Sequence, residues 1–220
     1  MAKSILDGVS LVVWDWNGTL LDDVRVNLDT INALLTRRGI RNIKDEAEYR
    51  GGFGFPIIDY YRTLGFDTER EAFSDIADEY VRVYGEKLHE ASLASDAVEA
   101  LSRFKTLGIR QVIISAAEGE RLRREVESYG IDGYFTDVIG TGDNLGSSKV
   151  SLAVNFVERC GVEQDKILFI GDLLHDAEVA RECGCKAVLV SAGHQSADRL
   201  AASGYPVLPD IKTVFAEYNK

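Results

Sequence analysis

Four short stretches of the chain place carboxylate, hydroxyl or amino groups where buried strands are predicted to end. Each stretch follows a short apolar run, and in chain order the polar residues are Asp15 and Asn17, then Ser115, then Gly146–Lys149, then Asp172 and Asp176. Taken singly, such residues are most often helix caps or solvated side chains. Ligands of open α/β sheets, however, bind just beyond the carboxyl ends of the strands. Four such features in order therefore predict a functional site at one edge of a sheet.

The residue types in these stretches suit the transfer of a phosphoryl group. Asp15 and Asp172 can share Mg²⁺, which prefers oxygen ligands and often bridges protein to phosphate. Lys149 and the Ser115 hydroxyl can hold phosphate oxygens against a carboxylate, and aspartate is a known covalent nucleophile that forms aspartyl-phosphates. Lysine and metal together would neutralise the charge of the transferring group. The stretches therefore predict a magnesium-dependent site for a phosphorylated substrate.

The elements that must position these residues alternate between strands and helices. Short, unalternating apolar runs are typical of strands buried on both faces of a parallel sheet. Such runs predict strands at 11–14, 110–115, 137–140, 167–172 and 187–190, with an edge strand near 205–208. Helical periodicity lies between them from residue 95 onward, which predicts an α/β fold with a doubly wound, Rossmann-like parallel sheet.

A long stretch between the first two strands carries only helical patterns. Leu28 to Leu35 repeat at helical spacing, Pro56 suits the first turn of a helix, and Phe73 to Tyr84 form one apolar face. A glycine-rich loop is predicted from Tyr49 to Pro56. The stretch is too long for one crossover, so it predicts an inserted all-helical domain at 21–91, with the core formed by 1–20 and 92–220.

Composition limits the class of protein. The 220 residues are 45% hydrophobic, no apolar run reaches the length of a membrane span, and the first residues lack a signal-peptide layout. These features predict a soluble, cytoplasmic protein. The net charge of −11 and the lack of a Lys/Arg-rich block argue against a nucleic-acid partner. The three cysteines are predicted to be reduced thiols in the core. The sequence does not indicate an oligomeric state.

Together, these motifs resemble those of haloacid dehalogenase superfamily phosphatases whose helical cap follows the first motif, and most closely the phosphoglycolate phosphatase-like group. The resemblance covers nearly the whole chain. It rests on Asp15-Trp16-Asn17-Gly18-Thr19, on Ser115 at its strand end, on Lys149, and on Gly171-Asp172 followed by Asp176. It implies a phosphoric monoester hydrolase that uses Mg²⁺ and acts on a small phosphorylated metabolite such as phosphoglycolate or a sugar phosphate.

The resemblance also implies a role for each matching residue. Asp15 would be the nucleophile, and Ser115, its neighbour Ala116 and Lys149 would bind the phosphate. The metal ligands would be Asp15, the main-chain carbonyl of Asn17 and Asp172, with Asp176 supporting the site. Gly18 and Thr19 would form the tight turn after the nucleophile and border the substrate. The cap loop that contributes to specificity is best matched by residues 50–55, where Arg50 could bind a substrate carboxylate.

Asn17 departs from the family pattern. The phosphatases usually carry an aspartate at this position, which protonates the leaving oxygen and later activates water. An amide cannot exchange a proton at neutral pH, and such help is typically worth about 10²–10⁴-fold. Turnover could be slow or limited to good leaving groups, or His175 could transfer the proton. Alternatively, the chain has lost turnover and binds a phosphorylated ligand, or the asparagine was introduced by substitution.

Other chemistries of the superfamily fit less well. Its dehalogenases do not use Mg²⁺ and lack the paired aspartates seen at Asp172 and Asp176. Its phosphonate hydrolases share a first motif without the second acid, but they need a cap lysine, and Lys44 and Lys87 do not match its position. His194 follows the fifth predicted strand and could reach the substrate, although a hydrogen bond to backbone is the simpler expectation. A phosphonate hydrolase and a non-catalytic phospholigand-binding protein remain as alternatives.

Overall fold

A six-stranded parallel sheet forms the centre of the molecule in a computed structural model that describes residues 4–145 and 149–216. The strands in chain order are β1 (Leu11–Trp14), β2 (Leu21–Asp22), β3 (Ser92–Leu93), β4 (Arg110–Glu118), β5 (Asp137–Thr141), β6 (Ile167–Gly171), β7 (Lys186–Val190) and β8 (Val207–Leu208). The sheet has the order β5-β4-β1-β6-β7-β8, and each neighbouring pair is parallel. The chain therefore builds outward in both directions from β1, which confirms the predicted doubly wound α/β fold.

Strand β1 lies at the centre because both of its faces are apolar. All four of its residues are buried. Val12 and Trp14 belong to one hydrophobic cluster, and Leu11 and Val13 belong to a second cluster on the opposite face. Alternation of this kind follows from the two-residue repeat of a strand. The two clusters hold β1 between helical layers, so the residue that follows Trp14 is held in a defined position.

Helices cover both faces of the sheet. Four helices lie between β2 and β3, namely α1 (Val24–Arg37), α2 (Glu46–Gly52), α3 (Ile57–Leu64) and α4 (Phe73–Lys87); the others are α5 (Ala97–Thr106), α6 (Gly119–Ser128), α7 (Val150–Arg159), α8 (Leu174–Glu182) and α9 (Ala197–Leu200). Short 3₁₀ turns at 88–90, 132–134, 164–166, 201–203 and 211–215 complete the connections. No helix in the described ranges is long and apolar enough to cross a membrane.

Helices α1 to α4 pack into a hydrophobic cluster of their own. Its buried members lie between Val24 and Val83, and they include Ile31, Tyr61 and Ile76. The chain enters and leaves this insert through β2 and β3, which pair antiparallel with Leu21 opposite Leu93. The hairpin-like pairing was not expected from the sequence, because two-residue strands carry no periodicity. The helical insert is present, and its proposed boundaries at residues 21–91 remain a prediction.

The glycine-rich stretch is partly helical rather than a loop. Tyr49 to Gly52 form the second half of α2, so the predicted loop shortens to the residues between α2 and α3. The helix begins because the Asp45 carboxylate accepts a hydrogen bond from the Glu48 backbone N–H at 2.9 Å, as expected of an N-cap aspartate. Gly51 and Gly52, which have low helix propensity, lie at the other end, where the helix stops.

Candidate active site

Three adjacent strands deliver polar residues to one edge of the sheet. Asp15 follows β1 and Asp172 follows β6. Ser115 lies within β4, which does not end there as predicted but continues to Glu118. Strands β4 and β6 flank β1. All three side chains are buried. The chain reverses its direction of strand addition at β1, and such switch points are where open α/β sheets bind ligands. The sequence-predicted residues are thus brought together at the expected place.

Lys149 is the cation of this cluster. Its ammonium group contacts the Asp15 carboxylate and lies 2.7 Å from Oδ1 of Asp176. Burial alone would lower the pKa of Lys149, but the carboxylates of Asp15 and Asp176 raise it above its ordinary value. The lysine therefore stays charged in the buried site, where it offsets part of the negative charge. Its predicted neighbours Gly146 to Ser148 lie outside the described residues.

The three carboxylates carry more negative charge than Lys149 offsets. Oxygen atoms of Asp15, Asp172 and Asp176 lie within 4.8 Å of one another. Burial, reinforced by the two other carboxylates, raises the pKa of Asp15 to about 8 despite Lys149. Burial and Asp176 likewise raise the pKa of Asp172 to about 6. A hard divalent cation with oxygen ligands would relieve this repulsion, so the residues fit Mg²⁺.

Asp176 orients the loop that carries Asp172. Its Oδ2 atom accepts hydrogen bonds from the backbone N–H groups of Asp172 at 3.0 Å and Leu173 at 2.9 Å. Its other oxygen faces Lys149. Both oxygens are therefore engaged within the protein, which suits the supporting role that the resemblance implies. Asp172 in turn accepts a hydrogen bond from Thr19 Oγ1 at 2.9 Å, so Thr19 helps to position a carboxylate of the cluster.

Two glycines allow the backbone to approach Asp172 closely. Gly18 has φ +74°, a left-handed conformation that favours glycine. A Cβ atom at Gly18 or at Gly193 would overlap the Asp172 carboxylate. Gly18 also donates its N–H to Oδ1 of Asp23 at 2.9 Å. The Gly-Thr that follows Asp15 and Asn17 is thus required by packing around Asp172.

We expect Mg²⁺ to stabilise the folded protein through the carboxylate cluster. A ligand at 100 times its Kd adds about 2.7 kcal/mol to the free energy of unfolding, which corresponds to a rise in Tm of about 5–10 °C for a chain of this size. Differential scanning calorimetry with MgCl₂ and with EDTA measures the shift. Asp172→Asn should lose most of it, whereas the exposed Asp22→Asn should keep it. An equal shift in both variants would place the ion elsewhere.

The side-chain amide of Asn17 is held in place by two hydrogen bonds. Its Nδ2 atom donates to Oδ2 of Asp23 at 2.7 Å and to the Tyr84 hydroxyl at 2.9 Å. Both amide hydrogens are then used, because a primary amide carries two. The side chain retains only its carbonyl oxygen, an acceptor, for a substrate or water. The residue borders the same cavity as Asp15.

A buried pair of Asp23 and His194 supports Asn17, and the sequence did not reveal it. His194 Nε2 lies 3.2 Å from Asp23 Oδ1, and its Nδ1 lies 2.9 Å from the Tyr49 hydroxyl. Burial would lower the pKa of His194, but the Asp23 carboxylate raises it to about 9. Burial would raise the pKa of Asp23, yet His194 and the surrounding donors lower it. The His194 ring thus forms hydrogen bonds with side chains and not with backbone. The backbone N–H of His194 donates separately to the Asp172 carboxylate at 2.6 Å.

A cavity of about 130 Å³ opens above the cluster, between the sheet edge and the helical insert. Its core side includes Asp15, Asn17, Ser115, Ala116 and Lys149. The Ser115 hydroxyl accepts a hydrogen bond from the Ala117 N–H at 3.1 Å, which orients the hydroxyl oxygen. His175 also lines the cavity, and its ring stacks on that of Phe55 from the insert, with centroids 4.6 Å apart. The predicted nucleophile and phosphate-binding residues therefore line one cavity.

Arg50 does not border this cavity. Its guanidinium lies 3.4 Å from Glu46 on the same helix, and its backbone carbonyl accepts a hydrogen bond from Arg199. The two lysines of the insert are also absent from the cavity wall, and the Lys44 amine instead lies 3.5 Å from Asp45. A substrate-binding role for Arg50 stays a prediction that this geometry does not support. The phosphonate-hydrolase alternative likewise lacks a lysine from the insert at the described cavity wall.

Comparison with known proteins places this arrangement in a family. The sequence profile of haloacid dehalogenase-like hydrolases matches residues 12–190. Phosphoglycolate phosphatases of Neisseria gonorrhoeae and Neisseria meningitidis are 29% and 27% identical over 202 residues, which is 87% of this chain and 84% of each relative. These matches confirm the resemblance to phosphatases of this group and the expectation of an enzyme.

The fold agrees with the sequence comparisons. A haloacid dehalogenase-like family hydrolase from Streptococcus pneumoniae superimposes with a TM-score of 0.83 at 17% identity, covering 96% of this chain and 99% of that one. At this identity the likeness concerns the fold alone. Because the profile spans both the first motif and the strand ends that carry Ser115 and Asp172, the chain belongs to the haloacid dehalogenase-like hydrolase family.

Proposed function

We propose that the chain hydrolyses small phosphate monoesters in the presence of Mg²⁺ through an aspartyl-phosphate on Asp15. The observation that carries the proposal is the position of Asp15 at the base of a cavity, beside Lys149 and two further buried carboxylates. A cytoplasmic location also remains a prediction from the sequence. The curated relatives are named as phosphoglycolate phosphatases, so phosphoglycolate and sugar phosphates are the first alkyl esters to assay.

In the proposed first step, a carboxylate oxygen of Asp15 attacks phosphorus and the bond from phosphorus to the leaving oxygen breaks. Lys149 and the Ser115 hydroxyl hold the non-bridging phosphate oxygens. In the second step, the oxygen of a water attacks the phosphorus, the water gives up a proton to solvent, the bond from phosphorus to Asp15 breaks, and the carboxylate is restored. Bound Mg²⁺, held by Asp15 and Asp172 together with the main-chain carbonyl of Asn17, would supply positive charge that offsets the charge of the phosphoryl group.

The residues around Asp15 have opposite effects on the ionised carboxylate that would attack phosphorus. Attack requires the ionised carboxylate, yet burial and the two other carboxylates raise the pKa of Asp15 to about 8. Lys149 acts in the opposite direction, because its charge favours ionisation. The same lysine contact orients one carboxylate oxygen. Lys149 thus combines electrostatic support of Asp15 with binding of the incoming phosphate.

A covalent adduct tests the proposal. The purified protein is incubated with acetyl phosphate, a small donor whose leaving group needs no proton, in MgCl₂ or in EDTA. Intact-mass analysis and phosphate release are then measured, with Asp15→Asn as the control. We expect one phosphoryl group on Asp15 or continuous release of phosphate in MgCl₂, and neither in EDTA or in the variant. Absence of both in MgCl₂ would overturn the proposal.

The second candidate is a protein that binds a phosphorylated ligand without turning it over. The amide of Asn17 favours it, because an amide can neither protonate a leaving group nor deprotonate water at neutral pH, and its two hydrogens are bonded to Asp23 and Tyr84. Such a protein would bind phosphate esters in a calorimetric titration but form no adduct on Asp15. The mass measurement therefore separates the two candidates.

A further inference from the structure

The part of the cavity wall that the helical insert contributes is rich in aromatic side chains. Its rings all come from the helical insert, and they are Phe53, Phe55, Tyr61, Phe73, Tyr80 and Tyr84. Aliphatic side chains such as Ile31 and Val81 fill the spaces between them. Ligand pockets are usually apolar with a few polar groups that fix orientation. Here the polar groups lie at the Asp15 end, and the far end is suited to a flat apolar body.

Two of the tyrosine hydroxyl groups on this wall already have hydrogen-bond partners within the protein. The Tyr84 hydroxyl donates to Asp23 at 2.8 Å, and the Tyr80 hydroxyl donates to Asn27. The Asn27 amide donates in turn to the Asp23 carboxylate at 2.6 Å. The hydroxyl groups of a sugar would lose water on entry without gaining these partners, which costs free energy. The wall therefore disfavours a polyol leaving group.

Lys149 and Arg121, the lysine and the arginine that line the cavity among the described residues, also have carboxylate neighbours. Lys149 contacts Asp15 and Asp176. Arg121 lies 3.6 Å from Glu125, and its guanidinium carbon is 5.7 Å from the centre of the Tyr84 ring. Glu125 offsets the charge of Arg121, but the buried Nε atom of Arg121 has no hydrogen-bond partner among the described residues. Arg121 is therefore the one side chain of the described wall that could bind a second carboxylate, and phosphoglycolate, which carries one, has to be compared directly with an aryl phosphate.

The size of the cavity fits a single aromatic ring. Its volume is about 130 Å³. An apolar protein cavity of about 150 Å³ is known to take up benzene. Part of the space at the Asp15 end must hold the phosphoryl group, and the mouth of the cavity is open to solvent. The volume therefore sets an upper limit of about one ring on the size of the leaving group.

Asn17 limits the leaving groups that the site can release. Its amide cannot protonate the leaving oxygen, because an amide gives up no proton at neutral pH, and both of its hydrogens are donated to Asp23 and Tyr84. An aliphatic alcohol is about as weak an acid as water, so its anion leaves poorly without a proton. A phenol has a pKa of about 10, so a phenolate leaves far more readily. The site therefore favours a leaving group that departs without being protonated by a general acid.

We infer that the substrates are aryl phosphates, monoesters in which the phosphate is bonded to a phenolic oxygen. The inference rests on the proposed phosphatase function and narrows its substrate class. Asp15 forms a bond to phosphorus while the aryl oxygen–phosphorus bond breaks, and the electron pair stays on the phenolate oxygen. The phenolate then takes a proton from solvent. Attack by water on the aspartyl-phosphate releases inorganic phosphate and restores Asp15.

Four esters test the inference on the unmodified protein with Mg²⁺. Phenyl phosphate and benzyl phosphate both carry a ring, but only the first has a phenolic leaving group; phosphoglycolate and glycerol 3-phosphate carry neither. We expect kcat/KM for phenyl phosphate to exceed that for benzyl phosphate by at least about 10²-fold, the typical worth of the missing acid. We expect KM for benzyl phosphate to lie below KM for phosphoglycolate, because of the aromatic wall.

A wall substitution tests the place of the ring. Ala77 on α4 is buried and borders the cavity, whereas Ala72 is exposed at the start of the same helix. Ala77→Phe should fill the space and raise KM for phenyl phosphate at least tenfold. Ala72→Phe, the same substitution outside the cavity, should leave KM within twofold. Thermal melting of both variants reports whether they fold.

The outcomes separate the inference from the function on which it rests. If phosphoglycolate or glycerol 3-phosphate has a kcat/KM equal to or above that of phenyl phosphate, the inference is wrong and the phosphatase stands. The same holds if acetyl phosphate labels Asp15 but phenyl phosphate is not hydrolysed. If neither acetyl phosphate nor any ester gives an adduct or free phosphate, the proposed function itself fails.

Discussion

Asn17→Asp should raise kcat/KM for benzyl phosphate and phosphoglycolate by about 10²–10⁴-fold, the range that a general acid typically supplies. The introduced carboxyl would stand where the Asn17 amide now lies, 2.7 Å from Oδ2 of Asp23. Two carboxylates at that distance cannot both ionise easily, so one retains its proton to a higher pH. The proton would then be available to a poor leaving group.

The gain should depend on the leaving group. Phenyl phosphate needs little help, so its kcat/KM should change by less than about tenfold in Asn17→Asp. Asn17→Ala, which also removes the hydrogen bonds to Asp23 and Tyr84 but offers no proton, should show no gain with either ester. Steady-state kinetics of the three proteins give the comparison. Equal gains for phenyl and benzyl phosphate would show that residue 17 acts on a step other than leaving-group departure.

Asp23→Ala should lower the free energy of unfolding by about 3–5 kcal/mol, the usual cost of removing one partner from a buried ion pair. Asp23 is fully buried. Its carboxylate accepts hydrogen bonds from five groups, which belong to Asn17, Gly18, Asn27, Tyr84 and His194. Alanine would leave these donors without their acceptor and His194 without its counter-charge, so the loss exceeds that of one surface hydrogen bond.

Urea unfolding followed by tryptophan fluorescence measures the effect of Asp23→Ala. Asp22→Ala is the matched control, since Asp22 is the exposed neighbour on β2. We expect the control to lose less than about 0.5 kcal/mol, as is usual for exposed positions. A loss below about 1 kcal/mol in Asp23→Ala would mean that the buried network tolerates the gap, and the account of Asp23 as its central acceptor would be wrong.

The sheet and the strand-end chemistry were predictable because they depend on local patterns. An apolar run such as Leu11–Trp14 can be satisfied only by burial on both faces, and the residue after it must stand at the sheet edge. Strand order then brings Asp15, Ser115 and Asp172 together, since β4 and β6 flank β1. Carboxylates at one edge need a cation, which explains why Lys149 was also recognisable.

The network behind Asn17 was not predictable from the same patterns. Asp23 and His194 are 171 residues apart in the chain, and neither belongs to a periodic apolar run. Their contact exists because the helical insert packs onto the loop after β7. The rings around the cavity, which periodicity assigns simply to apolar helix faces, acquire their role only through that packing.

The sequence by itself therefore determined the doubly wound sheet, the helical insert and the cluster of Asp15, Lys149, Asp172 and Asp176, because burial of apolar runs and the spacing of strand ends leave few alternatives. Only the tertiary structure decided where the insert sits against the core. That packing brought Tyr84 and Asp23 to Asn17, turned aromatic rings toward Asp15, and left Arg50 outside the cavity. The reason is physical: hydrogen bonds and ring contacts between distant segments depend on how two packed units meet, and no local pattern records that geometry.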